Sequence, residues 1–173
     1  MNLAVIGSGG REHSICYKLK QSQKVRKLIC IPGNAGTKGI AENIEANIHD
    51  FNEILEIIKS YKIDIVIIGP EEPLVNGIVD FLTKNKIKVL GPNKFASQLE
   101  GSKAFMKDLC KKNNIPTAKF GTFDNYDNAI NFLNKSKLPI VIKADGLAAG
   151  KGVSICKNKV EAKKQIYEII NGK

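Results

Sequence analysis

The sequence contains no tryptophan, only two histidines and no pair of cysteines at C-x-x-C spacing. His13 and His49 have no ligand-like spacing to each other or to a cysteine, so we expect no metal site within this chain. The four cysteines are widely separated, which predicts reduced thiols in a cytoplasmic protein rather than a disulfide framework.

Long apolar runs are also missing from the sequence. No segment approaches the roughly 20 apolar residues that a membrane-spanning helix requires. The first apolar run, residues 3–6, has no basic segment before it. We therefore expect neither a membrane partner nor a signal peptide.

Arginine is scarce although the chain is strongly basic. The formal net charge of +10 comes from 27 lysines and arginines against 17 acidic residues, and only Arg11 and Arg26 are arginines. The lysines are scattered, and no basic cluster is interleaved with aromatic residues. This pattern indicates a hydrated lysine surface that attracts anionic metabolites, and it predicts no nucleic-acid partner.

The first part of the chain alternates strand and helix patterns. The predicted strands are 2–6, 27–31, 45–48, 63–68 and 87–90, and the predicted helices are 12–22, 50–60 and 74–84. The run at 63–68 is continuously apolar, which is typical of a parallel strand covered on both faces. This α/β alternation predicts a Rossmann-like domain with a parallel sheet over residues 1–100.

The pattern changes after the Gly-Pro pair at 91–92. The predicted helices are 94–100, 102–113, 124–134 and 159–170, and the predicted strands are 119–122, 140–143 and 153–156. Two strands joined by a glycine-rich loop are not a continuation of a parallel sheet. Residues 101–173 are therefore predicted to form a separate α+β unit.

A glycine-rich turn follows the first predicted strand, with the sequence GSGGREH at 7–13. Gly9 and Gly10 would expose backbone N–H groups at the start of a helix, and Arg11 could bind a phosphate with two hydrogen bonds. The turn departs from the dinucleotide fingerprint because Glu12 stands where that fingerprint has its third glycine, and the second strand ends without an acid. We expect a small phosphorylated sugar here; the alternative is a tight turn without a ligand.

A second candidate loop, GPEEP at 69–73, follows the apolar run 63–68. Ligands of open parallel sheets collect at the carboxyl ends of strands. Glu71 and Glu72 could accept hydrogen bonds there from hydroxyl or amine groups. The alternative is a turn made rigid by proline, with both acids exposed.

The third candidate is the loop DGLAAGKG at 145–152, between two predicted strands. It is not a P-loop, because Gly152 replaces the required Ser or Thr and a strand follows instead of a helix. Lys143 ends the preceding strand, where its ammonium could reach a polyphosphate. A mobile loop between two strands could instead close over phosphates and exclude water.

Six segments occur in the order found in one enzyme family. They are GSGGREH (7–13), PGNAG (32–36), GPEEPL (69–74), LEGSKAF (99–105), IPTA (115–118) and VIKADGLAAGKGV (141–153). The series resembles the phosphoribosylamine–glycine ligases, which are ATP-grasp enzymes of purine biosynthesis. The resemblance extends over essentially the whole chain, and the last segment is long and specific.

The resemblance implies ATP-dependent ligation of glycine to 5-phosphoribosylamine through a glycyl phosphate. It implies a sugar-phosphate site and a cleft lining, formed by Gly9, Gly10, Arg11, Gly33, Asn34, Pro70 and Glu71. It implies an ATP site formed by Lys103, Lys143, Gly146, Gly150, Lys151 and Gly152. Lys143 is the expected catalytic residue, and catalysis would consist mainly of positioning and charge neutralisation.

Family members are more than twice as long as this chain. The resemblance implies that the strands holding adenine and the Glu and Asn ligands of Mg²⁺ lie in a C-terminal portion, which would be a partner of these residues. The chain alone is therefore expected to be inactive. Two alternatives stay open: a different ATP-grasp carboxylate–amine ligase, and an isolated phosphoribosyl-binding domain.

Overall fold

The structure is a computed structural model that describes residues 1–148 and 152–172. The chain divides into two compact units, Met1–Gln98 and Leu99–Lys173. Gly150 and Lys151, two residues of the expected ATP-binding loop, lie outside the described residues. Each unit has its own apolar core.

The first unit is built around a five-stranded sheet. Its strands are β1 (Asn2–Gly7), β2 (Lys27–Pro32), β3 (Glu42–Asn43), β4 (Ile65–Ile68) and β5 (Lys88–Leu90). Its helices are α1 (Gly10–Lys20), α2 (Phe51–Ser60), α3 (Glu71–Asn76) and α4 (Ile78–Lys84), with a 3-10 turn at Thr37–Gly39. The next helix, α5 (Lys94–Gly101), begins in the first unit and ends in the second. The element order β1-α1-β2 repeats the alternation expected from the sequence.

The sheet is entirely parallel, with the strand order β3-β2-β1-β4-β5. This is the order of doubly wound α/β folds, so the prediction of a Rossmann-like parallel sheet is confirmed. The central strand β1 is buried at every position because helices cover both faces. Consecutive β1 residues belong to different cores: Leu3 and Val5 to one, Ala4 and Ile6 to the other.

Two predicted elements of this unit differ in the structure. The predicted helix 74–84 is two helices, because Gly77 adopts a left-handed φ of +95° and ends α3 as its C-cap. The predicted strand 45–48 is irregular. Its apolar residues pack on the core without ladder pairing, and the strand is the two-residue β3 instead.

The second unit is an α+β arrangement. It contains α6 (Lys103–Lys112), α7 (Tyr126–Lys135), β6 (Ile140–Lys143), β7 (Val153–Cys156) and α8 (Lys159–Ile170). The two strands pair antiparallel, and Lys143 lies opposite Val153. Both helices α7 and α8 pack on one face of this pair through Leu133, Cys156 and Ile166. The prediction that an α+β unit follows the parallel sheet is confirmed.

The segment predicted as a strand at 119–122 is not one in the structure. The preceding residues are instead tied to α6 by Lys107, whose ammonium donates to the hydroxyl of Thr117 and the carbonyl of Ala118. Among the described residues, no helix is both long enough and apolar enough to cross a bilayer. All four cysteines are free thiols.

Candidate functional site

The first candidate site is the turn between β1 and α1, at the carboxyl edge of the parallel sheet. Gly9 is the N-cap of α1, and Gly10 is its first residue. Residues 8–11 are exposed. The first N–H groups of a helix have no intrahelical acceptor and lie at the positive end of its dipole. Helix starts of this kind bind anionic groups in other proteins, and the predicted residues Gly9, Gly10 and Arg11 all lie at this one.

Glu12 is a buried acid beneath this turn, with only 4% of its surface exposed. Its carboxylate accepts a hydrogen bond of 2.5 Å from the backbone N–H of Gly9. Glu12 is the third residue of α1, and its contact with the N-cap N–H is one half of a capping box; the other half is missing because Gly9 has no side chain. In the sequence, Glu12 stands out only as a departure from the dinucleotide fingerprint.

Arg11 connects the turn to the loop after β4. Its guanidinium donates to the carbonyl oxygen of Gly69 and, at 2.6 Å, to a carboxylate oxygen of Glu71. This hydrogen bond from Arg11 holds the pKa of the Glu71 carboxyl below its ordinary value. The structure therefore brings together two predicted site residues that lie 60 positions apart in the sequence. Pro70, between Gly69 and Glu71, is the N-cap of α3.

The loop after β2 joins the same edge of the sheet. Gly33 has a left-handed φ of +77° and donates its N–H to the carbonyl of Gly7 at 3.1 Å. The side-chain amide of Asn34 donates to the carbonyls of Ser8 at 2.9 Å and Gly9 at 3.1 Å. Both predicted residues therefore contact the β1–α1 turn.

Asn34 uses the full capacity of its side chain in these loop contacts. Its carbonyl oxygen accepts from the N–H groups of Gly36 and Thr37, and its two amide hydrogens are used at the turn. Thr37 is fully buried, and its hydroxyl contacts the Asn34 backbone and Asn43. Thr37 and Asn43 were missed in the sequence, where isolated Thr and Asn residues carry no distinguishing pattern.

The second candidate site lies within the second unit, where the start of α6 meets the end of β6. Ser102 is the N-cap of α6 and donates its hydroxyl to the Asp145 carboxylate at 2.9 Å. That carboxylate also accepts from the N–H of Ala104 at 3.2 Å. Burial raises the pKa of Asp145, but these hydrogen bonds outweigh burial and leave the pKa below its ordinary value. Asp145 therefore acts with Ser102 in capping the N-terminus of α6.

The two predicted lysines occupy different positions in this unit. Lys103 donates from Nζ to the carbonyl oxygen of Gly146 at 2.7 Å. Lys143 is the last residue of β6 and is exposed. The strand pairing continues past it, because the N–H of Ala144 donates to the carbonyl of Gly152 at 2.9 Å. Both ends of the predicted loop are thus anchored within the second unit.

In the described part of the chain, no three His, Cys, Asp or Glu side chains form a cluster suited to a metal ion.

A parallel α/β unit with a phosphate-type turn precedes an antiparallel hairpin whose glycine loop is anchored beside a helix and a lysine. This combination defines an ATP-grasp protein with its N-terminal domain. Residues 1–100 match the model of the phosphoribosylglycinamide synthetase N domain, and residues 101–173 match that of its ATP-grasp (A) domain. The chain belongs to the phosphoribosylglycinamide synthetase family.

Individual relatives agree with this assignment. A phosphoribosylamine–glycine ligase of Caldanaerobacter subterraneus is 48% identical over 163 residues, which are 94% of this chain and 39% of that protein. The crystal structure of such a ligase from Thermotoga maritima has a TM-score of 0.81 and 33% identity, covering 99% of this chain and 40% of that one. The chain thus spans about 40% of the length of these relatives.

The fold extends to a second ribonucleotide synthetase. The N5-carboxyaminoimidazole ribonucleotide synthetase of Thermotoga maritima has a TM-score of 0.72, covering 94% of this chain and 42% of that one. Its sequence identity is 20%, so this likeness concerns the fold alone.

Proposed function

We propose that this chain is the N-terminal part of the machinery that ligates glycine to 5-phosphoribosylamine with ATP, in purine biosynthesis. The products are glycinamide ribonucleotide, ADP and phosphate. The observation that carries the proposal is the succession of two matched domains, N and ATP-grasp, over residues 1–100 and 101–173. The named relatives support the same reaction.

The proposed reaction has two steps. A carboxylate oxygen of glycine attacks the γ-phosphorus of ATP, which forms glycyl phosphate and releases ADP. The amine of phosphoribosylamine then attacks the acyl carbon; the C–O bond to phosphate breaks, and the nitrogen loses a proton as the amide forms. Both steps move negative charge between oxygens, so fixed positive groups stabilise them.

The second unit contributes positive charge to these steps. Lys143 lies exposed at the end of β6, from which we propose that it contacts the transferred phosphoryl group. Lys103 is held by the Gly146 carbonyl at 2.7 Å and would exchange this acceptor for an ATP phosphate oxygen. Gly146 has a φ of +88° and open space where a side chain would lie, so the loop can approach phosphates closely. Gly150, Lys151 and Gly152 complete the proposed loop.

The first unit would bind the sugar phosphate. The start of α1 and the Arg11 guanidinium are at the same edge of the sheet, and Glu71 fixes that guanidinium at 2.6 Å. We propose that Gly10 and Arg11 contact the phosphate. Gly33, Asn34 and Pro70 would shape the cleft around the ribose, with Asn34 acting through the loop that it holds.

We further propose that the protein is cytoplasmic and uses Mg²⁺ with its ATP. The metal ligands would belong to a C-terminal portion, which would act as the partner of these residues. Two other functions remain: ligation of a different carboxylate to an amine, and binding of a phosphoribosyl ligand without catalysis. The resemblance of the string GSGGREH at 7–13 favours glycine ligation over the first.

Phosphate release tests the proposal. The protein is purified as its source organism makes it and assayed with ATP, Mg²⁺ and freshly prepared phosphoribosylamine. Glycine is compared with alanine, serine and bicarbonate as the carboxyl donor. Release that depends on glycine and phosphoribosylamine supports the proposal, whereas release with another carboxylate supports a different ligase. If the protein binds ribose 5-phosphate but releases no phosphate with any carboxylate, the result supports binding of a phosphoribosyl ligand without catalysis.

A further inference from the structure

Glu12 is a buried acid to which the proposed reaction gives no role. It lies in the first turn of α1 with 4% exposure, and its carboxylate accepts the Gly9 N–H at 2.5 Å. Burying a carboxylate is costly, although the positive end of a helix dipole offsets part of the cost. Its hydrogen bond to the Gly9 N–H and its packing must therefore contribute something that an apolar side chain would not.

Three glycines of the candidate site are packed around this one side chain. A Cβ atom at Gly7 would lie 2.7 Å from Cδ of Glu12, and one at Gly9 would lie 2.9 Å from its Oε2. A Cβ atom at Gly69 would collide with the same carboxylate. Gly7 ends β1, Gly9 caps α1 and Gly69 follows β4. The glycines therefore make room for Glu12 at the meeting point of two strand ends.

Glu12 thereby links the two anchors of the phosphate-binding geometry. It fixes the turn through the Gly9 N–H, immediately before the first helical residue Gly10. It also packs against Gly69, whose carbonyl oxygen accepts a hydrogen bond from Arg11. A shift of Glu12 would move the helix start and the arginine relative to each other.

We propose that Glu12 is a positioning residue for the sugar phosphate, which makes the Gly10 N–H and the Arg11 guanidinium converge on one phosphate group. This inference rests on the proposed sugar-phosphate site. The side chain does not touch the ligand. It acts through the Gly9 N–H on one side and through Gly69 and Arg11 on the other.

The test uses calorimetric titration of the 173-residue chain with ribose 5-phosphate. Glu12→Ala removes the acceptor and the packing, and we expect at least a tenfold loss of affinity. Glu12→Gln retains the shape and a carbonyl acceptor for the Gly9 N–H, and its affinity should stay within about threefold of wild type. Hydrogen exchange of the Gly9 amide should be slow in wild type and E12Q and fast in E12A.

A matched control separates positioning from general destabilisation. Ile58→Val shortens a side chain that is 1% exposed in α2, away from the turn, and lowers the melting temperature without changing ribose 5-phosphate affinity. If E12A does not fold, Glu12→Asp is used instead. The aspartate carboxylate is one methylene too short to reach the Gly9 N–H, so E12D also loses this hydrogen bond.

Coupling to Arg11 gives the decisive measurement. If Glu12 acts through Arg11, E12A should weaken binding at least tenfold in wild type but less than threefold in an R11A background. Equal losses in both backgrounds, or wild-type affinity in E12A, would overturn the inference while leaving the sugar-phosphate site standing. A wild-type chain that binds no ribose 5-phosphate would overturn both the site and the inference.

Discussion

Lys103 Nζ donates a 2.7 Å hydrogen bond to the carbonyl oxygen of Gly146, which joins the first turn of α6 to the glycine loop after β6. The two residues are 43 positions apart in the sequence and belong to different motifs. A lysine held by a backbone carbonyl can exchange that acceptor for a phosphate oxygen without a change of its protonation. The contact therefore holds the ammonium against the loop that we propose closes over a nucleotide.

We expect Lys103→Met to weaken ADP binding by roughly 1.5–3 kcal/mol, the usual value of a charged hydrogen bond. Calorimetric titration of the 173-residue chain with ADP measures the change. Lys111→Met is the matched control, since Lys111 is exposed in the last turn of the same helix. Equal affinities of K103M and K111M would exclude Lys103 from the nucleotide site.

Arg11→Ala should weaken ribose 5-phosphate binding by about 1.5–3 kcal/mol, because it removes a charged donor beside a helix N-terminus. The control is Arg26→Ala, which removes the other arginine; Arg26 contacts Asn2 at the first residue of β1, the opposite end of that strand from the turn. Calorimetry should show an effect for R11A alone. Similar losses in both variants would indicate that only net charge matters.

The low pKa of Asp145 predicts acid-dependent stability of the second unit. A carboxyl whose pKa is depressed in the folded state stabilises the protein above its unfolded pKa, near the ordinary value of 3.8. This stabilisation is lost as the pH falls through the pKa that Asp145 has in the folded state, which is the lower of the two. Urea unfolding of Asp145→Asn should therefore show a smaller loss of stability between pH 6 and pH 3 than wild type.

Asp124→Asn is the control for this pH effect. Asp124 is exposed, and it lies before α7 rather than at the α6 cap. Its replacement should leave the difference in unfolding free energy between the two pH values close to that of wild type. If D145N loses as much unfolding free energy between pH 6 and pH 3 as wild type, the acid sensitivity belongs to other carboxyl groups.

Gly77→Ala should destabilise the protein by about 1–2 kcal/mol, because φ at this residue is +95° and the Cβ of an alanine is strained in the left-handed conformation. Thermal unfolding measures the loss. Gly39→Ala is the control, since a Cβ atom there would enter open space and the position has no positive φ. Equal melting temperatures for both variants would contradict the strain argument.

Sequence patterns predicted most of the architecture because the apolar runs are long and regular. The continuous run at 63–68 and the Asp50 cap of α2 are local signals; α2 forms as expected, and the strand forms over Ile65–Ile68, two residues shorter than predicted. The prediction of one helix over 74–84 was wrong, because the left-handed conformation of Gly77 ends α3 in the middle of an otherwise regular helical pattern. Helical periodicity carries no information about the sign of φ at a glycine.

The contacts of the predicted site residues could not be read from the sequence. Glycines at strand ends suggested close approach to a ligand, whereas Gly7 and Gly69 make room for the side chain of Glu12. Asn34 is predicted to line the cleft. In the structure its amide nitrogen bonds the β1–α1 turn and its amide oxygen bonds its own loop. Such contacts join residues far apart in the sequence, so no local pattern contains them.

We finally predict that the 173-residue chain alone does not make glycinamide ribonucleotide. It provides Lys103 and Lys143, but it spans about 40% of the length of its relatives, and the proposed metal ligands belong to a C-terminal portion. Incomplete charge neutralisation and water exclusion should leave turnover undetectable. Phosphate release is measured with ATP, Mg²⁺, glycine and phosphoribosylamine, with the Caldanaerobacter subterraneus ligase as positive control. Ribose 5-phosphate binding by the same preparation shows that the first unit is folded. Glycine-dependent release at the rate of the control would mean that these residues suffice for catalysis.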